Sequence, residues 1–368
     1  MIRGLATLGL AGLSGCLRGS GADTTIPRFG DTTPAPQAVL EELAAYADSQ
    51  DVRNFVATVN PPDGRRWTIG QGYLDRQKTR PVSEASLFRI ASLSKPLTAA
   101  ATRHLLEATD CSLEDPFLPL LDIEAPAGAP ADPRLREITI RQLLQHRGGW
   151  DRIETFDPIF EPWRVCWELG IAPPPTAQDY ARFVLDRELS FTPGTDSQYS
   201  NVGYLFLGLV IEAVSGRPYQ TFLQETVFER AGIEPADIQP GRTRPAFRPD
   251  RETFYDAEYV CLDLTSPQYL RLVPCPDGGF PEEAMTAVGG HVATATAYDQ
   301  FMQHYDLDGR PHEGEPAPEI THGSKRGTRA MAYRPRRDLS VVVFSNRRTE
   351  EAEPLRAAIE EGVSAAGL

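Results

Sequence analysis

The chain has 368 residues, of which 41% are hydrophobic and 24% are charged, so it can bury a sizeable core and intrinsic disorder is not expected. Its 51 acidic residues outnumber its 37 lysines and arginines, which gives a formal net charge of −14 at pH 7. Because this field would repel phosphate groups, we expect no nucleic-acid partner.

The first residues have the pattern of an export signal. Arg3 is followed by a short, apolar stretch over residues 4–12, and the segment ends in Leu13-Ser14-Gly15-Cys16. This ending resembles the lipobox of bacterial lipoproteins, which implies lipid attachment at Cys16 and an exported, membrane-anchored lipoprotein of the bacterial cell envelope. The alternative is an end with no targeting function. Residues 1–37 are therefore predicted to be a lipoprotein-type signal and a flexible tether.

The remaining chain has strand patterns at both ends and helical patterns between them. Helices are predicted over residues 36–49, 92–106, 139–144, 177–185, 200–214 and 353–366, and strands over residues 55–60, 67–73, 328–333 and 339–344. The economical arrangement is an α+β fold, in which an antiparallel sheet built from both chain ends is flanked by helices and a mainly helical lobe is inserted. The predicted domain covers residues 38–368, with residues 38–110 and 285–368 in an α/β lobe and residues 111–284 in the helical lobe.

Ser92 and Lys95 form an S-x-x-K motif that can make a serine nucleophilic without histidine. Their spacing puts a hydroxyl and an amine on one face of the predicted helix that begins at residue 92. A desolvated lysine can lose its charge near neutral pH and accept the proton of the serine. A chance S-x-x-K on a helix is the alternative, although the chain has only three lysines, Lys78, Lys95 and Lys325.

Tyr199 and Asn201 lie on either side of one residue, just ahead of an apolar helical segment. Both side chains can therefore project from a loop into a cleft. A tyrosine held next to a lysine can act as general acid and base, and an amide can orient the substrate or the lysine. The alternative is a turn followed by a helix cap at Ser200 or Asn201.

These motifs, in this order, resemble the serine beta-lactamase and penicillin-binding superfamily, in the branch that contains class C beta-lactamases, a D-alanyl-D-alanine carboxypeptidase and esterases. The resemblance extends from residue 52 to the C-terminus, and it includes residues 138–150 and residues 288–294 with Asp299. We expect the histidine in each of these two segments to hold loops by hydrogen bonds. The resemblance implies these roles: an acyl-accepting nucleophile and oxyanion amide at Ser92, its proton partner at Lys95, an acid/base at Tyr199 and a substrate contact at Asn201.

The third motif of that superfamily, a cation or histidine followed by Thr or Ser and then Gly, is altered here. One alignment, His322-Gly323-Ser324, keeps the histidine but puts a side chain where the family has glycine. The other, Thr321-His322-Gly323, keeps the glycine but loses the cation. We favour the second, because a Cβ facing the acyl carbonyl would cost more than a changed polar residue. Thr321, His322, Gly323 and Ser324 are then candidate substrate-binding residues, with Ser324 as second oxyanion amide and His322 or Lys325 available to the substrate.

The altered motif bears on the expected substrate. In the resembling branch the missing cation helps to hold a substrate carboxylate, so a small-molecule ester or small amide becomes the expected substrate of a serine hydrolase that forms an acyl-enzyme on Ser92. A beta-lactamase or D,D-carboxypeptidase of the cell envelope is one alternative. A catalytically silent, ligand-binding lipoprotein of the same fold is another. The resemblance implies no cofactor and no metal.

Four cysteines besides Cys16 allow three pairings. A bridge between Cys261 and Cys275 is preferred, because the two residues bracket a loop that contains proline. A bridge between Cys111 and Cys166 is second. None of the cysteine spacings is typical of a zinc site.

Overall fold

The computed structural model describes residues 26–368 apart from 127, 129, 244–248, 257–258, 267–269 and 313–316. The predicted lipidation residue Cys16, with the rest of positions 1–25, lies outside the described residues. Among the residues that are described, no helix is both long enough and apolar enough to cross a membrane.

The regular elements are these, in chain order. The strands are β1 (Arg28–Phe29), β2 (Phe55–Asn60), β3 (Trp67–Gln71), β4 (Phe88–Arg89), β5 (Ile238–Pro240), β6 (Val260–Leu262), β7 (Leu272–Pro274), β8 (His291–Ala293), β9 (Glu319–Lys325), β10 (Thr328–Arg336) and β11 (Leu339–Ser345). The helices are α1 (Pro34–Ser49), α2 (Ser94–Ala108), α3 (Ile140–Leu144), α4 (Pro162–Leu169), α5 (Ala177–Leu185), α6 (Asn201–Ser215), α7 (Tyr219–Leu223), α8 (Glu229–Ala231), α9 (Ala295–Met302) and α10 (Glu353–Ala365). A 3₁₀ turn, Ala91–Leu93, directly precedes α2.

Strands from both ends of the described chain form the main sheet, in the order β1-β3-β2-β11-β10-β9. All neighbouring strands in it are antiparallel. Helices cover both faces, so β11 is buried along its whole length. Val341 and Val343 pack with Ile359 of α10, whereas Val342 and Phe344 belong to the larger core on the opposite face, as the alternation of a strand requires.

The predicted α+β fold class is confirmed, since the sheet combines both chain ends and α3 to α8 lie between them in sequence. The lobe boundaries stay a prediction. The prediction that the middle of the chain has no strands is wrong, because β5 pairs with β8 and β6 pairs with β7. The predicted strand over residues 67–73 ends at Gln71, where Gly72 turns the backbone with a φ of 112°.

The predicted bridge between Cys261 and Cys275 is confirmed. It joins β6 to the residue that follows β7, and so closes this small hairpin. The second expected bridge is wrong: Cys111 and Cys166 are both free thiols, on a loop after α2 and on the buried side of α4.

A buried cluster of charges connects β4 to β9. Glu282 forms ion pairs with Lys325 on β9 and, at 3.2 Å, with Arg89 on β4. Lys325 Nζ also donates a hydrogen bond to the carbonyl oxygen of Gly289, at 3.2 Å. Because buried charges need partners, this cluster holds β9 against the segment around residues 282–289.

Replacing Glu282 by Gln tests the cluster. The change removes the negative charge that Arg89 and Lys325, both buried, share. We therefore expect the free energy of unfolding to fall by about 3 kcal/mol or more. Chemical denaturation measures it. Glu225→Gln, which removes one partner of the exposed pair with Arg217, is the control and should cost at most about 1 kcal/mol. Equal losses in the two variants would contradict the structural role.

Candidate active site

Ser92 lies in the 3₁₀ turn that leads into α2, two residues before the helix begins. This corrects the prediction of a helix from residue 92. The preceding residue, Ala91, has a φ of 46°, a left-handed conformation that costs energy in a residue with a Cβ. Ser92 is half-buried, whereas Ala91 and Leu93 are buried, so the serine is the most accessible residue of this turn.

Lys95 is buried, and its amine lies among three oxygen atoms. Nζ is 2.7 Å from Asn201 Oδ1, 2.9 Å from the carbonyl oxygen of Val288 and 3.2 Å from Ser92 Oγ. Neither carbonyl oxygen can donate, so each must accept an N–H of the lysine. The third tetrahedral position of the nitrogen then points at the serine hydroxyl.

Tyr199 approaches the serine from another side, with its hydroxyl 2.7 Å from Ser92 Oγ. The ring of His146 lies 4.7 Å from the Tyr199 ring, and its Nδ1 accepts a hydrogen bond from the backbone N–H of Ser200. Burial, together with the nearby charge of Lys95, lowers the pKa of His146 to about 4. A neutral His146 therefore supports the segment that carries Tyr199, as expected of a histidine that holds loops.

Asn201 is the first residue of α6, and Ser200 is its cap, since Ser200 Oγ accepts from the backbone N–H of Gly203. The capping alternative thus applies to Ser200, whereas the Asn201 side chain reaches Lys95. Asn201 Nδ2 donates to a carboxylate oxygen of Asp157, which turns the Oδ1 atom towards the lysine. Burial raises the pKa of Asp157, and its hydrogen bond from Asn201 opposes that rise.

The altered third motif lies on β9, the edge strand next to the 3₁₀ turn that carries Ser92. A Cβ added to Gly323 would overlap the carbonyl oxygen of Ile90 and lie 3.1 Å from the backbone nitrogen of Ser92, so only glycine fits here. Thr321 is on the same face of the strand as Gly323. The side chains of His322 and Ser324 are on the opposite face, so they are not brought to the serine.

The amine of Lys325 is not directed towards Ser92 either. It is 3% exposed, and its amine is bound to Glu282. The suggestion that Lys325 serves the substrate was therefore wrong, because a buried lysine needs its carboxylate partner.

A cavity of about 270 Å³ adjoins the site on the side of Asn201. Its walls are mainly apolar. Arg152 contributes to them, with its guanidinium carbon 4.7 Å from the centre of the Tyr199 ring. The lining residues are Trp150, Arg152, Thr155, Phe156, Asp157, Pro158, Val184, Arg187, Glu188, Ser190, Ser200, Asn201 and Val202.

Sequence reasoning did not find Asp157, Arg152 or the Val288 carbonyl. Asp157 precedes a proline and has the local pattern of a turn, while Arg152 is one of many arginines. No sequence signal tells which backbone carbonyl will face an amine. Among the described residues, no group of three or more His, Cys, Asp or Glu side chains could hold a metal ion.

These contacts can activate a nucleophile. A serine hydroxyl that is within hydrogen-bond distance of an amine and a phenol can lose its proton as it attacks an electrophilic carbon. The N-terminal end of α2 favours negative charge nearby, because the first amides of a helix have no partner within the helix.

The chain is similar to several known proteins. The family model described as Beta-lactamase matches residues 40–364. A probable fimbrial assembly protein of Dichelobacter nodosus, FimD of serogroup H1, is 36% identical over 197 residues, which are 52% of this chain and 45% of that protein. The esterase EstB of Burkholderia gladioli is 30% identical over 171 residues, 44% of this chain and 41% of the esterase. The chain thus matches less than half of the length of these relatives.

A solved structure shares the fold. The D-amino acid amidase of Ochrobactrum anthropi SV3, complexed with D-phenylalanine, superposes with a TM-score of 0.67 and 19% identity, and the match covers 90% of this chain and 99% of the amidase chain.

Gly323→Ala should displace the 3₁₀ turn that carries Ser92, because the new methyl group would overlap the Ile90 carbonyl. A displacement of a reacting group by about 1 Å can lower its reactivity about 100-fold. We therefore expect Ser92 to react with a fluorophosphonate probe about 100-fold more slowly. Ile320→Ala, at an exposed position on the same strand, is the control. Wild-type labelling rates in Gly323→Ala would show that this close approach does not matter.

Asp157→Ala should free the Asn201 amide to rotate, which would remove an acceptor from Lys95. We expect the rate of fluorophosphonate labelling to fall about 10- to 100-fold. Asp157→Asn can still accept the hydrogen bond, so it should retain more of the rate and separate the effect of the bond from that of the charge. Glu154→Gln, in the same loop, is the matched control; a similar loss there would indicate general loosening of the loop.

Proposed function

The chain belongs to the beta-lactamase family, and we propose that it is a serine hydrolase that cleaves carboxylic esters or small amides through an acyl-enzyme on Ser92. One observation carries this proposal. Tyr199 and Lys95 both lie within hydrogen-bond distance of Ser92 Oγ, at 2.7 Å and 3.2 Å.

In the proposed acylation, Ser92 Oγ attacks the carbonyl carbon of the substrate while its proton passes to Lys95 Nζ. In the amine form, the two N–H groups of Lys95 are held by Asn201 and Val288, so the lone pair faces the serine. The bond to the leaving oxygen or nitrogen then breaks, and that atom takes the proton of the Tyr199 hydroxyl. The products of this step are the acyl-serine and the free alcohol or amine.

Deacylation reverses these proton transfers. The Tyr199 phenolate takes a proton from water, and the resulting hydroxide attacks the acyl carbon. The ester bond to Ser92 breaks, and Ser92 Oγ recovers its proton from Lys95. The carboxylic acid leaves, and all three side chains return to their starting state.

We further propose that the backbone amides of Ser92 and Ser324 stabilise the oxyanion in both steps. The fit of Gly323 against Ile90 and Ser92 brings the two segments into contact, which supports this assignment. Oriented backbone amides are effective because they need no reorganisation as charge develops. The side chain of Ser324 takes no part in this role, and Thr321 is the motif side chain that remains on the cleft face.

An ester or small amide is preferred over a substrate whose carboxylate must be held at β9. Strand β9 contributes no cation to the cleft in the described structure, since Lys325 is bound to Glu282 and His322 lies on the other face. A substrate carboxylate would therefore not be held at β9. The esterase among the relatives supports the same class.

A lipid anchor at Cys16, with export to the cell envelope, completes the proposal. It is supported by the sequence of residues 13–16 and the tether-like composition that follows.

The test combines a covalent probe with paired substrates. A fluorophosphonate should label one serine of the wild-type protein, and Ser92→Ala should abolish labelling and lower kcat at least about 10⁴-fold, as expected for loss of a nucleophile. Short p-nitrophenyl esters should be hydrolysed faster than nitrocefin.

Ser197→Ala is the control, because this exposed serine lies close to Tyr199 in sequence but its hydroxyl binds the Gln145 carbonyl. Labelling that survives in Ser92→Ala would overturn the assignment of the nucleophile. Faster turnover of nitrocefin would favour a beta-lactamase, and absence of both labelling and turnover would favour a silent binding protein.

A further inference from the structure

We propose that Arg152 forms an anion-binding subsite beside the nucleophile, so that the preferred substrates are esters that carry a carboxylate in addition to the scissile bond. This inference rests on the proposed function, because it names the substrate class of the same site. It assigns to the loop that carries Arg152 the charge that β9 lacks.

The position of Arg152 supports the subsite. Its guanidinium lies over the face of the Tyr199 ring, with Cζ 4.7 Å from the ring centre, and the Tyr199 hydroxyl is 2.7 Å from Ser92 Oγ. Stacking on an aromatic ring restrains the guanidinium without using its N–H donors. A group bound by Arg152 would therefore be separated from Ser92 Oγ by no more than the Tyr199 side chain.

The donors of Arg152 are also free. In the described part of the chain, its exposed guanidinium forms no hydrogen bond and no ion pair, unlike Arg164 and Arg187, which both pair with Glu168. Asp157, on the same loop, is already bonded to Asn201 and to a backbone amide. A guanidinium with a free fork of donors can bind a carboxylate through two parallel hydrogen bonds.

The two lysines considered for the site already have partners. Lys95 is surrounded by three oxygen atoms, and Lys325 is buried against Glu282. The formal net charge of the chain, −14, would oppose the approach of an anionic substrate. The charge of Arg152 would offset this repulsion next to the site.

The neighbouring cavity indicates what the rest of the substrate is like. Arg152 is one of its lining residues, and Trp150, Phe156 and Val184 contribute apolar surface to its walls. A cavity of about 270 Å³ beside one unpaired guanidinium fits a substrate with an apolar group next to its carboxylate. The carboxylate could belong to the acyl part or to the alcohol part of the ester, and the experiment distinguishes the two.

The experiment compares charged and neutral esters in matched pairs. The first pair is p-nitrophenyl hemisuccinate and p-nitrophenyl butyrate, which differ by a carboxylate in the acyl part. The second pair is 3-carboxyphenyl acetate and phenyl acetate, which differ by a carboxylate in the alcohol part. In one of the pairs, Arg152→Gln should lower the ratio of kcat/KM for the charged over the neutral ester about 10- to 100-fold, as expected for loss of a charge-assisted hydrogen bond. The pair that responds identifies the part that carries the carboxylate.

Two variants are controls. Arg152→Lys keeps the charge without the planar fork, so it should retain part of the ratio. Arg217→Gln makes the same change in net charge beyond the far end of α6, whose 15 residues extend about 22 Å from Asn201, and it should leave both ratios unchanged. Unchanged ratios in Arg152→Gln, or an equal fall in Arg217→Gln, would overturn the subsite.

Binding to an inactive protein separates this inference from the proposed function. In the Ser92→Ala background, calorimetry with p-nitrophenyl hemisuccinate and with 3-carboxyphenyl acetate should give at least about tenfold weaker binding of one of the two esters once Arg152 is also replaced by Gln. Equal affinities of Ser92→Ala and of the double variant for both esters would overturn the subsite even if hydrolysis is observed. Absence of hydrolysis by the wild-type protein would instead refute the proposed function, and this binding measurement would still test Arg152.

Discussion

The arrangement of the site depends on the hydrogen bonds of the buried Lys95 amine. An amine removed from water must find acceptors, and this one finds them on Ser92, on Asn201 at the start of α6 and on the Val288 carbonyl ahead of β8. These three partners come from separate parts of the chain. One nitrogen atom thus fixes the 3₁₀ turn of Ser92 relative to Asn201 and to Val288. The third position of the nitrogen faces the serine hydroxyl.

The loop over residues 150–158 has two roles around this nitrogen. Asp157 holds the Asn201 amide in the orientation that Lys95 needs, and Arg152 covers the ring of the tyrosine that shares the serine hydroxyl. The same loop lines the neighbouring cavity. Support for the proposed proton-transfer groups and the proposed selection of substrate therefore come from one segment.

Several features were predictable because neighbours in sequence carry the signal. Ser92 is close to Lys95 in sequence, and Tyr199 is close to Asn201, so local geometry alone keeps the members of each pair near each other. The long strands and helices of both chain ends have periodic patterns, and the fold class follows from their order. Short strands such as β4 and β8, with two and three residues, have too little pattern to predict, because tertiary pairing alone defines them.

The sequence by itself determined which reactive groups the chain has and which of them are local neighbours, since a turn or helix fixes distances over a few residues. Tertiary structure alone decided what each group faces. The register of β9 against β10 turned Gly323 towards Ser92 and His322 away from it, and burial beside Glu282 removed Lys325 from the cleft. The physical reason is that the facing side and the burial of a residue depend on packing partners far away in the chain, which local spacing does not record.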